Sequence, residues 1–263
     1  MGVLILSLTA CATKIENPVI RLSTTTSVND SGLMAYLQPI FEKDTGYTLE
    51  ITSAGTGAAI EKGRTGDADV LLVHAKASEE EFINEGFGEV RVPFMYNYFV
   101  IVGPEGDPAG VKSSTTAAEA FKKIADAGAT FISRGDDSGT HKAELKIWKS
   151  LELEPTGQPW YVSVGDSMGK TLTVGNEMQG YVFTDKATFL AHENTLSLLL
   201  EETEDMKNTY TMIAITPQRF ADTNFAGAQA FIEWMTSEKA ADLIAKFGLE
   251  QYGEQLFFIL ATQ

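Results

Sequence analysis

The chain has 263 residues, 44% of them hydrophobic and 21% charged, enough for one large domain or two lobes of about 100 residues each. Its 36 acidic and 20 basic residues leave a formal net charge of -16, a field that disfavours nucleic acid and anionic membrane as partners and requires any anion site to work through local donors. The single cysteine, Cys11, excludes an intrachain disulfide and a cysteine-rich metal site.

Taken in chain order, the opening MGVLILSLTAC is an apolar run too short to span a bilayer but suited to a signal-peptide core. It ends in Leu-small-small-Cys, which resembles the lipobox of bacterial lipoproteins, with Cys11 as the lipidated residue. NPVIRLST then predicts a first strand, and SGLMAYLQPIFEKDTG a helix with Leu33, Leu37, Ile40 and Phe41 on one face and Gly46 as its C-cap. YTLEIT reads as a strand, GAAIEKGRTG as a short helix, ADVLLVHA as a fully buried strand and SEEEFINEG as a helix. Strand and helix in alternation predict a parallel sheet covered on both faces.

At RVPFMYNYFVIVGP the pattern changes to two adjacent strand-like runs around Asn97, where the chain is expected to cross between lobes. Alternation restarts with helix TAAEAFKKIADAG, strand ATFIS and helix GTHKAELKIWKSLEL. Helix MGKTLTVGNEM, strand GYVFT, LSLLLEE and strand TYTMIAIT follow. GAQAFIEWMTSEKAADLIAKFG keeps helical spacing through Phe231, Trp234, Met235, Leu243 and Ile244. The expectation is an α/β chain of two lobes joined by crossing strands, with no internal repeat or low-complexity linker.

Three polar loops fall between the end of a strand and the start of a helix: STTTSVNDSG (23 to 32), TSAGTGAA (52 to 59) and SRGDDSGTHK (133 to 142). Ligands of open α/β sheets bind outside the carboxyl ends of strands, where helix N-termini offer unpaired N–H donors suited to an anion. Each loop alone is explained by helix N-capping with Ser, Thr or Asp. Arg134 adds a side chain built for bidentate recognition of an oxyanion, although a salt bridge to Asp136 or Asp137 would also account for it. Catalytic readings are weaker. Ser138 and His141 stand i,i+3 at a helix start without a G-x-S-x-G elbow, and Asp136, Asp137 and His141 lack a metal-site spacing. The glycines of AGTGAA make no nucleotide phosphate loop, and His74 and His192 read as structural, although His74, next to the ligand-side end of its strand, could still face the cleft.

Through TTTSVNDSGL, GDADVLLVHA, FISRGDDSGTHKAEL, MGKTL and YGEQLF, the sequence resembles the solute-binding component of ABC-type tungstate importers over about residues 20 to 257. The resemblance implies a two-lobed type II periplasmic-binding-protein fold with the ligand in the cleft between lobes. Residues 20–96 with 206–263 would form one lobe and 97–205 the other, behind a signal segment (1–11) and a tether (12–19). It implies Thr25, Thr26, Ser27, Thr56, Arg134, Ser138, Gly139 and Thr140 as ligand-binding residues, with His74 at the cleft end of its strand.

The protein expected on these grounds is no enzyme and carries no cofactor or metal cation, tungsten being bound as its oxyanion. It would be a monomer held outside the cytoplasm by a lipid on Cys11, delivering tungstate or molybdate to a permease. Phosphate receptors share the R-x-D-x-S-G-T pattern that Arg134 to Thr140 satisfies, so phosphate is the rival ligand. A phosphate site wants a carboxylate to accept the anion's proton, whereas tungstate and molybdate, fully deprotonated near neutral pH, want donors only. His74 stands where phosphate receptors place an aspartate, which favours the unprotonated dianions.

Overall fold

A computed structural model describes residues 15–260. Cys11, the signal segment and the start of the tether lie outside the described residues. Among those described, no helix is long and apolar enough to cross a membrane.

The first half of the chain runs β1 (Val19–Thr25), α1 (Thr26–Asp30), α2 (Leu33–Thr45), β2 (Thr48–Ala54), α3 (Thr56–Thr65), β3 (Val70–Val73) and α4 (Lys76–Asn84). The long strand β4 (Val92–Gly103) leads into α5 (Ala117–Asp126), β5 (Phe131–Ser133), α6 (Gly139–Ser150) and β6 (Tyr161–Ser163). Then come α7 (Met168–Met178), β7 (Tyr181–Asp185), α8 (Lys186–Ala191) and β8 (Ser197–Leu200). The chain closes with β9 (Lys207–Ala214), α9 (Phe225–Met235), α10 (Glu238–Lys246), α11 (Leu249–Tyr252) and β10 (Phe258–Ile259).

The strands form one path, β2-β1-β3-β9-β4-β7-β5-β6, with β8 and β10 also pairing with β4. At one end β1 lies parallel to β2 and β3, and at the other β5 lies parallel to β6 and β7. Between them β9 and β4 run antiparallel to each other. The two strand-like runs expected around Asn97 are one continuous strand. β4 pairs with β9 from Val92 to Tyr98 and with β7 from Phe99 to Val102, so it passes from one lobe into the other without a break.

Each side of that crossing has its own apolar core. Ile20, Leu22, Leu37, Phe41 and Phe231 are buried together on one side, and Phe121, Phe131, Trp148 and Phe183 on the other. Phe41 meets Phe231 and Trp234 edge-on at 5.4 and 5.5 Å, and full burial of a ring of this kind contributes about 2–3 kcal/mol. On α2 the buried stripe is Leu33, Met34, Leu37 and Phe41, with Ile40 only half-buried at its edge. The helical spacing expected to run unbroken from Gly227 to Phe247 divides into α9 and α10. Ser237 ends the first by donating to the Trp234 carbonyl (2.6 Å) and caps the second by accepting from the Ala240 amide (3.2 Å).

Candidate functional site

The three polar loops are shorter than their composition suggests. β1 runs through Thr25 straight into α1, and only Gly55 separates β2 from α3. The third loop is Arg134 to Ser138, between β5 and α6. Capping accounts for one loop of the three. Neither Thr25 nor Gly55 caps its helix with a side chain, whereas Ser138 Oγ accepts the His141 amide at 3.2 Å. Asp136 Oδ1 accepts the Ser138 amide at 3.1 Å, so within this turn the Gly139 and Thr140 amides remain as the orphan donors of the helix start.

These strand ends converge. His74, the residue after β3, shares a hydrogen bond of 3.1 Å between its Nε2 and Ser27 Oγ, and Ser27 shares another of 3.2 Å with Thr25 Oγ1. From the opposite lobe, Arg134 Nη2 reaches Thr26 Oγ1 at 3.5 Å and is ion-paired with Asp136. A Cβ built on Gly139 would stand 2.3 Å from His74 Cε1 and 2.9 Å from Thr56 Oγ1, so only a glycine lets α6 come this close to the facing lobe. Thr25, Ser27, Thr56, Arg134, Ser138 and Thr140 are all buried, while His74 and Thr26 keep some surface open. All nine residues singled out in the sequence therefore lie where the two lobes meet.

Among the described residues, all but one (Thr223 Oγ1) of the buried side-chain polar atoms without a partner belong to strand ends and helix starts on this side of the sheet. Thr56 Oγ1 and His74 Nδ1 come from one lobe, and Arg134 Nε, Thr140 Oγ1, Asp185 Oδ2 and Thr188 Oγ1 from the other. An unpaired buried polar group costs about 1–3 kcal/mol, and a protein that gathers several at one point holds donors ready for a polar guest. Burial pushes the His74 imidazole down to about 4; Asn208 opposes the shift and the Arg134 charge adds to it. His74 is therefore neutral near pH 7, and Arg134 supplies the permanent positive charge.

Sequence reasoning missed Asp185 and Thr188. Asp185 closes β7 and caps α8, accepting the Thr188 amide at 2.8 Å, so it occupies the same strand-to-helix slot as the three loops. No run of Ser, Thr and Gly marked it; the signal was TDKAT, a capping Asp directly after a buried strand. A carboxyl beside the cleft runs against the donors-only expectation, and burial resolves the conflict by raising its pKa.

Exchanging Gly139 for alanine is expected to wedge the lobes apart and weaken ligand binding by about 1–3 kcal/mol, roughly 5- to 150-fold, without lowering the melting temperature of the ligand-free protein. Titration calorimetry beside a thermal melt reads both; an unchanged affinity would mean that this close approach is not needed for binding.

A two-lobed α/β binding protein of the type II periplasmic-binding-protein fold, with its site at the carboxyl ends of strands from both lobes, is the class defined by this topology and these groups. The chain belongs to the PBP superfamily, whose domain model matches residues 12–239, and within it to the family of the relatives that follow. A tungstate-binding protein TupA from Peptoclostridium acidaminophilum is 44% identical over 269 residues, covering 97% of this chain and 93% of its own. The solved structure of the tungstate-binding protein TupA from Desulfovibrio alaskensis G20 matches with a TM-score of 0.82 at 41% identity, covering 93% of this chain and 100% of that one. The solved tungstate ABC transporter structure from Geobacter sulfurreducens matches at 0.80 and 41% identity, covering 87% and 98%.

Proposed function

We propose that the protein is an extracytoplasmic receptor that captures tungstate, with molybdate as its near-equivalent, and hands it to an ABC permease. One observation carries this reading: Thr56 Oγ1 from one lobe and Arg134 Nε and Thr140 Oγ1 from the other are buried donors with no protein partner at a single meeting point. A tetrahedral oxyanion accepts from several directions at once, and hydroxyl and guanidinium donors on both lobes suit it. The relatives named for tungstate support the choice among such anions. Binding, not turnover, is the outcome of such a site. It offers hydrogen bonds and charge, and its imidazole is held neutral between Ser27 and Gly139.

Titration calorimetry with tungstate, molybdate, sulfate and phosphate tests the reading. Tight binding of the first two and weak binding of the others is expected, and tight binding of phosphate alone would overturn it. Phosphate keeps a place as second reading because Asp185 could accept the proton of hydrogen phosphate. Attachment through a lipid on Cys11 and a monomeric state belong to the same proposal; mass spectrometry of the membrane-extracted protein and light scattering of its soluble form check them.

The hydroxyls separate affinity from stability. Thr56→Val or Thr140→Val is expected to leave the ligand-free protein as stable or slightly more so, because each removes a buried group without a partner. Each should weaken tungstate binding by about 1.5–3 kcal/mol, the worth of a hydrogen bond to a charged acceptor. Paired melts and titrations decide; a destabilised variant with normal affinity would make the hydroxyl structural.

A further inference from the structure

Asp185 sits on the last residue of β7, opposite Phe99 of β4, and is 1% exposed. Its Oδ1 is used to cap α8, its Oδ2 is buried without a well-aligned partner, and the Thr188 hydroxyl one helical turn on, also without one, stands close enough to favour the ionised form against the larger effect of burial. Arg134 is the cation whose field reaches it, but that guanidinium already pairs with Asp136. From β9 the Tyr210 ring packs against His74 at 5.0 Å, with its hydroxyl near Ser27, Asn97 and Asn208. From β4 the Phe99 ring lies 4.7 Å from Phe183 and 6.4 Å from His74. The adjacent Lys186 is turned away, ion-paired with Glu201 and Glu254. Tyr210 and His74 bring no positive charge, so an ionised Asp185 would be buried without an ion-pair partner of its own, an arrangement proteins avoid by neutralising the group.

We propose that Asp185 meets the oxyanion as a neutral carboxylic acid whose Oδ2–H donates to it, so that a fully deprotonated dianion is held together with one proton on the protein. The inference rests on the oxyanion reading of the cleft and adds a chemical rule to it. A carboxylic acid kept protonated by an apolar site is a competent donor to an oxyanion. The balance is one proton. Tungstate or molybdate binds with a proton on Asp185, whereas hydrogen phosphate would bring the equivalent proton itself and need the carboxylate form. A bound dianion holds the Asp185 proton more tightly, and burial gives it a head start. The shared cap with Thr188 fixes the direction of Oδ2.

Affinity for tungstate should be measured by calorimetry from mildly acidic to alkaline pH on the wild type, Asp185→Asn and Asp185→Ala. Asparagine keeps the cap acceptor and replaces the acid O–H by an amide N–H, so its fold is preserved. Wild-type affinity is expected to fall with rising pH, by up to about tenfold per unit once free Asp185 ionises. Asp185→Asn should bind about 3- to 10-fold more weakly at the acidic end, with a flat profile that crosses above the wild type at the alkaline end. Asp185→Ala should lose about 10- to 100-fold at the acidic end and keep a flat profile below that of Asp185→Asn. The infrared difference spectrum on tungstate binding should carry the protonated-carboxyl C=O band in the wild type and lack it in Asp185→Asn. An asparagine variant as weak as alanine, an alanine variant that binds like the wild type at the acidic end, or an ionised carboxylate in the complex would each overturn the proposal. A wild type that binds no oxyanion at all would instead overturn the reading of the cleft, and the same titrations separate the two failures.

Discussion

Arg134→Ala is expected to weaken tungstate binding by about 2–5 kcal/mol, a loss of about 30- to 5,000-fold in titration calorimetry. Arg134 is 3% exposed, and its Nη2 is already committed to Asp136 and Thr26, which leaves Nε buried and unpaired. Truncation removes the one permanent positive charge of the site and exposes the ligand to an Asp136 carboxylate that has lost its counter-ion. Both effects act in the same direction on an anion. Arg134→Ala with Asp136→Asn should therefore recover part of the loss, while Asp136→Asn alone leaves the cation in place and costs less. Normal affinity in Arg134→Ala would remove the central donor from this account.

The second large effect is on folding. Glu144→Ala is expected to destabilise the protein by about 3–5 kcal/mol, because three neighbours lose a buried acceptor together. Glu144 Oε2 accepts from Ser133 Oγ at 2.7 Å, and Oε1 accepts from Tyr161 OH at 2.7 Å and Trp148 Nε1 at 3.2 Å. The carboxyl thereby ties the end of β5, the body of α6 and β6 into one unit directly behind Arg134. Burial is the main cause pushing it up to about 7, against the three donors that lower it. The native state thus keeps a proton that the unfolded chain releases near the ordinary value of 4.5. The stabilisation is fully present below about pH 4.5 and is lost as pH rises to about 7, an order-of-magnitude slope of about 2–4 kcal/mol across the window. Glu144→Gln, whose amide can donate to Ser133 Oγ while its carbonyl keeps Tyr161 and Trp148, should flatten that slope. Denaturant melts at several pH values compare the two; parallel pH profiles would show that Glu144 is ionised throughout.

The parts of this site that are legible in the sequence share one chemical habit. Thr25, Thr26, Ser27, Thr56 and the Arg134–Thr140 turn are small hydroxylated or glycine-rich stretches directly after buried strands, and that composition is visible without coordinates. Asp185 holds the same position in the fold but looks like an ordinary cap, since its meaning depends on the partner that Oδ2 lacks. Glu144 was invisible for a related reason. In GTHKAELKIW it occupies one polar position among several, and only the packing of β6 against β5 shows that it faces inward. The continuity of β4 was half legible, because a strand that changes partners midway reads locally as two strands. The break at Ser237 was hidden by apolar spacing that happens to stay in phase across it.

That continuous strand has a mechanical consequence. Because β4 pairs with β9 between Val92 and Tyr98 and with β7 from Phe99 to Val102, and the chain returns from β8 to β9 beside it, the two lobes are joined by continuous main chain rather than by a detachable interface. Parting of the lobes has to twist β4 near Tyr98 and Phe99, where its partners change, together with the return segment between β8 and β9 that runs beside it. The residence time of a captured ion would then be governed by the stiffness of a short length of main chain, and residues on its far face, such as Tyr96 stacked on Phe258 at 5.2 Å, become springs for release.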